Sequence, residues 1–274
     1  MGGAPQHPDV WRAIDAQPTA ARLADTLEVR GRTPAQARLR RRFLRFVPIR
    51  PGQRVLEIGC GTGVVLRDLM TLVGRRGEVT GLDSSRTMLA RARALARGVR
   101  GGALRLRHGD GNELPFAAGR FDVALAVTVI LHVADPLRVV KELVRVTRAG
   151  GRVGVQDQDF GLVGAAHPDR TLTDRILDGV AARIYEEPYS GRRLPVLLRE
   201  AGLEEVRVLA DVYQDTALSD FSRAFLERRA ENAVRFGIVD PATATRWLDG
   251  FNEYFARGAF VLTMNYFGAV GVKR

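Results

Sequence analysis

From Arg54 onward the sequence alternates between short apolar runs and longer amphipathic segments. This alternation predicts an α/β fold, in which a mostly parallel sheet is covered by helices on both faces. Each apolar run is short enough for a buried strand, and each amphipathic segment is long enough for a helix. The predicted strands are Val55–Ile58, Glu78–Leu82, Leu104–His108, Phe121–Val127 and Val153–Gln156, and the predicted helices are 64–73, 86–97 and 135–147.

After Phe160 the pattern changes. Helices are predicted near 172–185 and 194–201, followed by strand six at 206–212 and strand seven at about 260–272. About 47 residues separate these two strands, far more than a hairpin needs, so the interval must be structured. We expect it to be mainly helical and to close over a ligand. Its Trp247 and Phe251 stripe could also form a subunit contact in a homodimer.

Length and composition suggest one large domain, or one domain with a cap. The chain has 274 residues and a single cysteine, Cys60, and it has no run of 18 apolar residues. Its first residues lack the charged and apolar blocks of a signal peptide, so we expect a cytoplasmic protein without a membrane span.

The net charge of +11 raises the question of a nucleic-acid partner. Two of the 42 basic residues are lysines, a ratio typical of codon bias in a GC-rich genome. The densest arginine run, from Arg38 to Arg45, lies on a predicted helix that opens at Thr33-Pro34. We interpret the run as a solvated helix face and consider nucleic acid an unlikely partner.

The most informative motif is the glycine loop Gly59-Cys60-Gly61-Thr62-Gly63, which joins the first strand to a helix. Glycines there let a ligand approach the backbone and the helix N-terminus closely. A dinucleotide fingerprint would need a glycine where Val64 stands, which weakens a pyrophosphate interpretation.

Carboxylates follow the next two strands. Asp83 ends strand two, 20 residues after Gly63, where it can accept both hydroxyls of a ribose. Asp110 follows strand three, where it can accept an adenine amino hydrogen. These strand ends meet at the carboxyl edge of the sheet, so the spacing indicates a nucleoside site.

Here the sequence resembles the class I S-adenosylmethionine-dependent methyltransferases. Four segments occur in the family's order: Val55–Gly63, Gly81–Ser84 with Met88, His108–Phe116, and Phe121-Asp122 through Leu131-His132-Val133. The later segment from Gly191 is loosely similar to methyltransferases of quinone and natural-product biosynthesis. The resemblance implies a Rossmann-like seven-stranded sheet with a helical cap after strands five and six, and S-adenosylmethionine as cofactor.

The resemblance also assigns cofactor contacts. The methionine end would be held by the strand and loop, the ribose by Asp83 and the adenine by Asp110, with Val127 near the amino group. Asp83 and Asp110 could instead be turn formers, and Met88 could be helix core. The full cofactor-binding set is Glu57, Gly59, Gly61, Gly63, Asp83, Ser84, Met88, Asp110 and Val127.

Residues that could act on the methyl acceptor should follow strands four and five. His132, Asp157 and Asp159 occupy these places and could orient or deprotonate an acceptor. A structural role is the alternative for His132, and a solvated strand end is the alternative for the two aspartates. We expect no resident metal.

These features predict an enzyme that transfers a methyl group to a small, aromatic or apolar acceptor in specialised metabolism. The alternatives are an RNA methyltransferase, a nicotinamide-dependent oxidoreductase and a non-catalytic partner subunit. The predicted organisation is a helical segment at 1–50, a cofactor-binding core at 51–160, cap insertions at 161–202 and 215–258, and final strands at 203–214 and 259–274.

Overall fold

The structure is a computed structural model that describes residues 9–274. Seven strands form one sheet: β1 (Arg54–Ile58), β2 (Glu78–Asp83), β3 (Ala103–His108), β4 (Phe121–Val127), β5 (Thr147–Ala165), β6 (Glu204–Asp215) and β7 (Leu262–Val272). Their order is β3-β2-β1-β4-β5-β7-β6, and β7 is antiparallel to both of its neighbours. The predicted α/β fold with a mostly parallel seven-stranded sheet is confirmed.

Nine α-helices surround this sheet within the described part of the chain. They are α1 (Ala20–Arg32), α2 (Pro34–Phe46), α3 (Val64–Val73), α4 (Arg86–Leu95), α5 (Pro136–Val146), α6 (Arg170–Ile184), α7 (Ser190–Glu200), α8 (Asp220–Arg235) and α9 (Pro241–Ala256). Short 3-10 helices occur at Val10–Ala16 and Ile130–His132. Over residues 9–274, no helix combines the length and the apolar character needed to cross a bilayer.

The parallel pairing brings the ends of β1, β2 and β4 to one edge of the sheet, beside Gln156 in the middle of β5. Ile58 is in register with both Leu82 and Ala126, and Val127 is in register with Gln156. The glycine loop after β1 therefore lies beside the ends of β2 and β4.

Helix α2 begins as its sequence predicts. The Thr33 hydroxyl accepts the backbone N–H of Gln36, and Pro34 occupies the first turn. In the arginine run of this helix, Arg40 pairs with Asp68 and Arg42 pairs with Asp211. The run is thus partly engaged with the protein's own surface.

Helix α7 packs directly on β5 and β7, whereas helices α6, α8 and α9 form the cap on the C-terminal half of the sheet. They enclose an apolar cluster that includes Trp247, Phe251 and Phe260. Trp247 and Phe251 have relative exposures of 0% and 1%. The expected subunit contact through this stripe is therefore wrong, because the stripe packs inside its own chain.

Strand β5 is much longer than the sequence pattern predicts. It has 19 residues and begins at Thr147, so Gly150-Gly151 lies within the strand rather than at the end of a helix. The reason is pairing with β7: the N–H of Gly150 donates to the carbonyl of Lys273, and Gly164 faces Thr263 at the far end. A distant strand thus determines the length of β5.

Candidate active site

The glycine loop adopts a conformation that side chains would disfavour. Gly59, Gly61 and Gly63 all have positive φ angles, of 59°, 51° and 78°. A Cβ atom added at Gly59 would lie 2.4 Å from a methyl group of Val129, which follows β4. The loop between these residues thus exposes its backbone at the end of β1. Cys60 is buried, and burial raises the pKa of its thiol well above the usual value, so it suits packing rather than nucleophilic chemistry.

Asp83 joins the glycine loop to the end of β2. Its Oδ2 accepts the Gly61 N–H at 2.7 Å, and its Oδ1 accepts the Ser85 N–H at 2.8 Å. Burial raises the pKa of this carboxyl group, and the two N–H donors oppose that rise. Each oxygen can accept a second hydrogen bond, so the carboxylate is already oriented for a pair of ligand hydroxyls.

Glu57 lies one strand residue before the loop and is almost fully buried. Its Oε2 atom has no hydrogen-bond partner. Burial, and then the negative charge of Asp83, raise the pKa of Glu57 well above its usual value. A buried carboxyl oxygen without a partner is costly, so this position favours a ligand that brings a donor or a positive charge.

A second buried carboxylate, which the sequence analysis missed, fixes the loop from the other side. Glu28 on α1 accepts the Thr62 hydroxyl at 2.6 Å and pairs with Arg67 on α3 at 2.9 Å. Arg67 also donates to the carbonyl of Thr62. Helix α1 thereby supports the loop, and a single Glu within this helix was too weak a sequence signal to predict that role.

The other predicted cofactor residues differ in their surroundings. Ser84 and Asp110 are exposed, and Asp110 accepts the backbone N–H of Asn112 at 2.9 Å. Met88 is fully buried against Ile14 and Ala24. The helix-core alternative therefore describes the packing of Met88.

Val127 ends β4 and is followed by a strained residue. Thr128 has a φ angle of 55°, in the left-handed region that side chains branched at Cβ rarely adopt. Its N–H donates to the carbonyl of Gln156 at 2.7 Å, which holds this conformation at the end of the strand. Backbone strain of this kind clusters at ligand sites.

His132 is held by a residue that the sequence analysis did not select. Its Nδ1 lies 2.5 Å from Oδ2 of Asp9, whose side chain is buried. Asp9 also accepts the N–H of Trp11 and so caps the first 3-10 helix. On its other side, the His132 ring makes an edge contact with Tyr185 at 5.7 Å between centroids. The N-terminal segment and the cap therefore meet at His132.

Asp157 is fully buried next to His132 in the fold. Its Oδ2 accepts the N–H of Leu131 at 3.0 Å. Burial raises the pKa of Asp157 to about 8, although the N–H groups of Leu131 and Ile130 and the Ser190 hydroxyl oppose the rise. At neutral pH this side chain is mainly protonated, which suits a structural donor or acceptor better than a base.

Asp159 is engaged elsewhere. Both of its oxygens face the guanidinium of Arg192 on α7, with Nη2 to Oδ1 at 2.7 Å. Oδ1 also accepts the N–H of Gly161. This bidentate pair ties β5 to α7. The structure therefore places Asp157 against Leu131, the residue before His132, and places Asp159 in a separate ion pair. Within residues 9–274, no cluster of three or more His, Cys, Asp or Glu side chains is arranged to hold a metal.

The strand order with its reversed seventh strand, the glycine loop and the carboxylate at the end of β2 define a class I S-adenosylmethionine-dependent methyltransferase domain. Residues 56–155 match the family described as a methyltransferase domain. Residues 56–155 thus form a methyltransferase domain, a class whose cofactor is S-adenosylmethionine, as the sequence analysis expected.

Comparison with individual proteins agrees with this class. The chain is 31% identical over 223 residues to an uncharacterized 37.1 kDa protein in transposon TN4556 of Streptomyces fradiae, which covers 81% of this chain and 63% of that protein. It is also 35% identical over 114 residues to a demethylmenaquinone methyltransferase of Bacillus cytotoxicus. This aligned region covers 42% of this chain and 48% of the relative.

A solved structure shares the fold. Haemonchus contortus phosphoethanolamine N-methyltransferase 2, in complex with S-adenosyl-L-methionine, is 19% identical with a TM-score of 0.53, covering 86% of this chain and 52% of that one. The chain thus spans between 48% and 63% of the length of these three proteins.

Proposed function

We propose that this protein transfers a methyl group from S-adenosylmethionine to a small, aromatic or apolar organic acceptor in specialised metabolism. The observation that carries the proposal is the unpartnered Oε2 of buried Glu57, next to the pre-oriented carboxylate of Asp83. Together they offer negative charge to a cationic ligand and hydrogen-bond acceptors to a sugar.

The residues at the ends of β1 and β2 offer the acceptors that S-adenosylmethionine needs, with the sheet as it stands. Glu57 and the loop from Gly59 to Gly63 would hold its positively charged methionine end, and Asp83 would hold its ribose. Residues 51–160 would then form the cofactor-binding core. The bound cofactor supplies a methyl group on a sulfonium, a good leaving group, so the protein's main task is to position the acceptor.

His132 is the residue we assign to proton transfer from an oxygen or nitrogen acceptor. The Asp9 carboxylate accepts the proton on Nδ1, which leaves Nε2 as the nitrogen able to take a proton. The same carboxylate stabilises the imidazolium that results. Asp157 positions His132 indirectly, because it anchors the N–H of the preceding residue, Leu131.

Two observations favour a small acceptor. Aromatic side chains of the cap reach His132 through Tyr185, and such walls are typical of sites for organic ligands. A demethylmenaquinone methyltransferase among the relatives is compatible with a ring-shaped acceptor. The RNA alternative has less support, because Arg40 and Arg42 in the arginine run pair with carboxylates of the protein itself.

The test combines binding with product detection. We expect calorimetry to detect binding of S-adenosylmethionine but not of NAD. Mass spectrometry of a metabolite pool incubated with the labelled cofactor should reveal a small product one methyl group heavier. Binding of NAD instead, or methylation of RNA in a parallel incubation with no small product, would contradict the proposal.

A further inference from the structure

A buried arginine in the cap pairs with no carboxylate of residues 9–274. Arg229 on α8 has a relative exposure of 3%. Its Nη2 lies 3.4 Å from the Tyr185 hydroxyl, and its Nη1 has no hydrogen-bond partner. No Asp or Glu of the described residues forms an ion pair with it within 4 Å. An arginine side chain stays protonated in proteins, so this charge is buried without an anion.

The surroundings of Arg229 do not replace that anion. Its guanidinium lies over the rings of Phe160 and Phe225, each at 4.8 Å, and near the Tyr185 ring at 5.5 Å. Ring faces attract a cation but leave its N–H groups without acceptors. The pKa of the neighbouring Arg228 is lowered, by burial first and also by the positive charges of Arg229 and Arg30. Tyr185 and Glu231 oppose this shift, so the positive charges of Arg229 and Arg30 act here beside the negative charge of Glu231.

The position of Arg229 connects it to the acceptor side of the site. Tyr185 contacts Arg229 with its hydroxyl and His132 with its ring edge. Tyr185 is also stacked on Phe160, at 4.5 Å between centroids and 3° between planes. His132 and the guanidinium thus flank the same aromatic pair. A ligand with an anionic group at Arg229 could present a second atom to His132.

We propose that Arg229 binds the anionic oxygen of the methyl acceptor, and that the acceptor is a small aromatic acid. This inference rests on the proposed function and specifies its substrate class. The ion pair would satisfy the free Nη1 donor, and the acid's ring would lie among the cap aromatics. Carboxylates and phenolates share this chemistry, since both offer a charged oxygen to a guanidinium.

The test uses simple probes and calorimetry in the presence of S-adenosylhomocysteine. Benzoate is the carboxylate probe, 4-nitrophenol at a pH where it is ionised is the phenolate probe, and benzamide is the neutral control. We expect at least one anion to bind the unmodified protein more tightly than benzamide does. Arg229→Gln should weaken that binding at least about tenfold, the loss expected for a charge-assisted hydrogen bond.

Two further variants separate this effect from general ones. Arg229→Lys keeps the charge and should retain part of the affinity. Arg223→Gln removes the same charge from an exposed position on the same helix and should leave the affinity unchanged. Because the unpaired charge destabilises the ligand-free protein, Arg229→Gln should not lower its unfolding temperature.

The inference is overturned if neither anion binds better than benzamide, or if Arg229→Gln binds the anion as well as the unmodified protein. In either case S-adenosylhomocysteine binding shows where the failure lies. Retained nucleoside binding would leave the proposed function standing, whereas its absence in the unmodified protein would refute the proposed function itself.

Discussion

Four buried ionisable side chains among the described residues have a polar atom without a hydrogen-bond partner: Glu57, Asp157, Asp211 and Arg229. Asp211 pairs with Arg42 through its other oxygen, on β6. Native structures satisfy most buried polar groups, so such exceptions need an explanation. Glu57 lies at the proposed cofactor site. Asp157 accepts the N–H of Leu131, the residue before His132, and Arg229 contacts the Tyr185 hydroxyl. These last three side chains mark one continuous region, from the end of β1 through the end of β4 and the middle of β5 to the cap.

Asp83 provides the most direct test at the level of single residues. Asp83→Ala should weaken S-adenosylmethionine binding at least about tenfold, because two ribose hydroxyls lose a charged acceptor worth roughly 1.5 kcal/mol or more. Calorimetric titration measures this change. Asp174→Asn, an exposed acid on α6, is the control and should bind normally. Unchanged affinity in Asp83→Ala would contradict the ribose assignment.

Asp157 should give the protein a characteristic pH dependence of stability. Its pKa of about 8 in the folded state lies above the unfolded value of about 4, so the folded protein retains a proton that the unfolded chain loses. Its contribution to the free energy of unfolding is therefore fully present below about pH 4 and is lost as the pH rises towards 8. The slope in this window is about 1.4 kcal/mol per pH unit.

Asp157→Asn should remove this contribution, since an amide does not titrate. We would measure urea unfolding of both proteins between pH 5 and pH 9 and compare the slopes. Parallel curves across that range would show that Asp157 is ionised in the folded state.

At the level of elements, the N-terminal segment connects the two halves of the site. Asp15 accepts hydrogen bonds from the Ser85 hydroxyl and from the N–H groups of Arg86 and Thr87, at the start of α4. These donors lower the pKa of Asp15 to about 2, despite the opposing effect of burial. Asp9, six residues earlier, holds His132. One short segment thus contacts both the nucleoside side and the acceptor side.

Asp9→Asn should lower the single-turnover rate of methyl transfer while leaving cofactor affinity nearly unchanged, because the amide cannot stabilise an imidazolium. His132→Ala should lower the same single-turnover rate about 100-fold or more, which is the contribution typical of a general base. The rate of the unmodified protein should rise with pH, as expected for catalysis by a general base, and His132→Ala should lack this rise. Asp25→Asn, an exposed acid on α1, is the control. A carbon acceptor that needs no base would show full activity in both variants.

The sequence predicted the elements whose signals are local. The glycine loop, the Thr33 cap of α2 and the strands up to β4 depend on neighbouring residues, and their positions agree with the structure to within a few residues. The length of β5 depends on β7, more than 100 residues away, so no local pattern could indicate it. The same reason explains the error over Trp247 and Phe251, because an amphipathic stripe does not specify what covers it.

The site residues also differ in whether their signal is local or depends on a distant residue. Asp83 was predictable from its spacing to Gly63, whereas the bond from Asp9 to His132 joins residues 123 positions apart. Arg229 did leave a signal, since it falls four residues after Phe225 and three after Leu226, on the apolar face of α8. Its isolation from carboxylates could be recognised only once the cap was folded.

At the scale of the whole molecule, the sheet edge is covered by two separate layers. Helix α1 and the preceding 3-10 helix lie over the glycine loop and α4, through Glu28 and Asp15. Helices α6, α8 and α9 cover the opposite half through the cluster around Trp247. The layers meet at His132 and at the ion pair between Arg12 and Glu186. Cofactor and acceptor should therefore stabilise different parts of the chain.

Hydrogen exchange can test this separation. Binding of S-adenosylhomocysteine should slow amide exchange in residues 10–32 and in the loop at 59–63, because the ligand fixes the carboxylates and backbone that these segments hold. Exchange in α8 should slow further only when an acceptor or an anionic probe is added. Helix α5, which carries none of the proposed ligand contacts, is the internal control. Equal protection of α8 by the nucleoside alone would show that both layers close as one unit, and unchanged exchange at 10–32 would show that the N-terminal segment does not report on the cofactor.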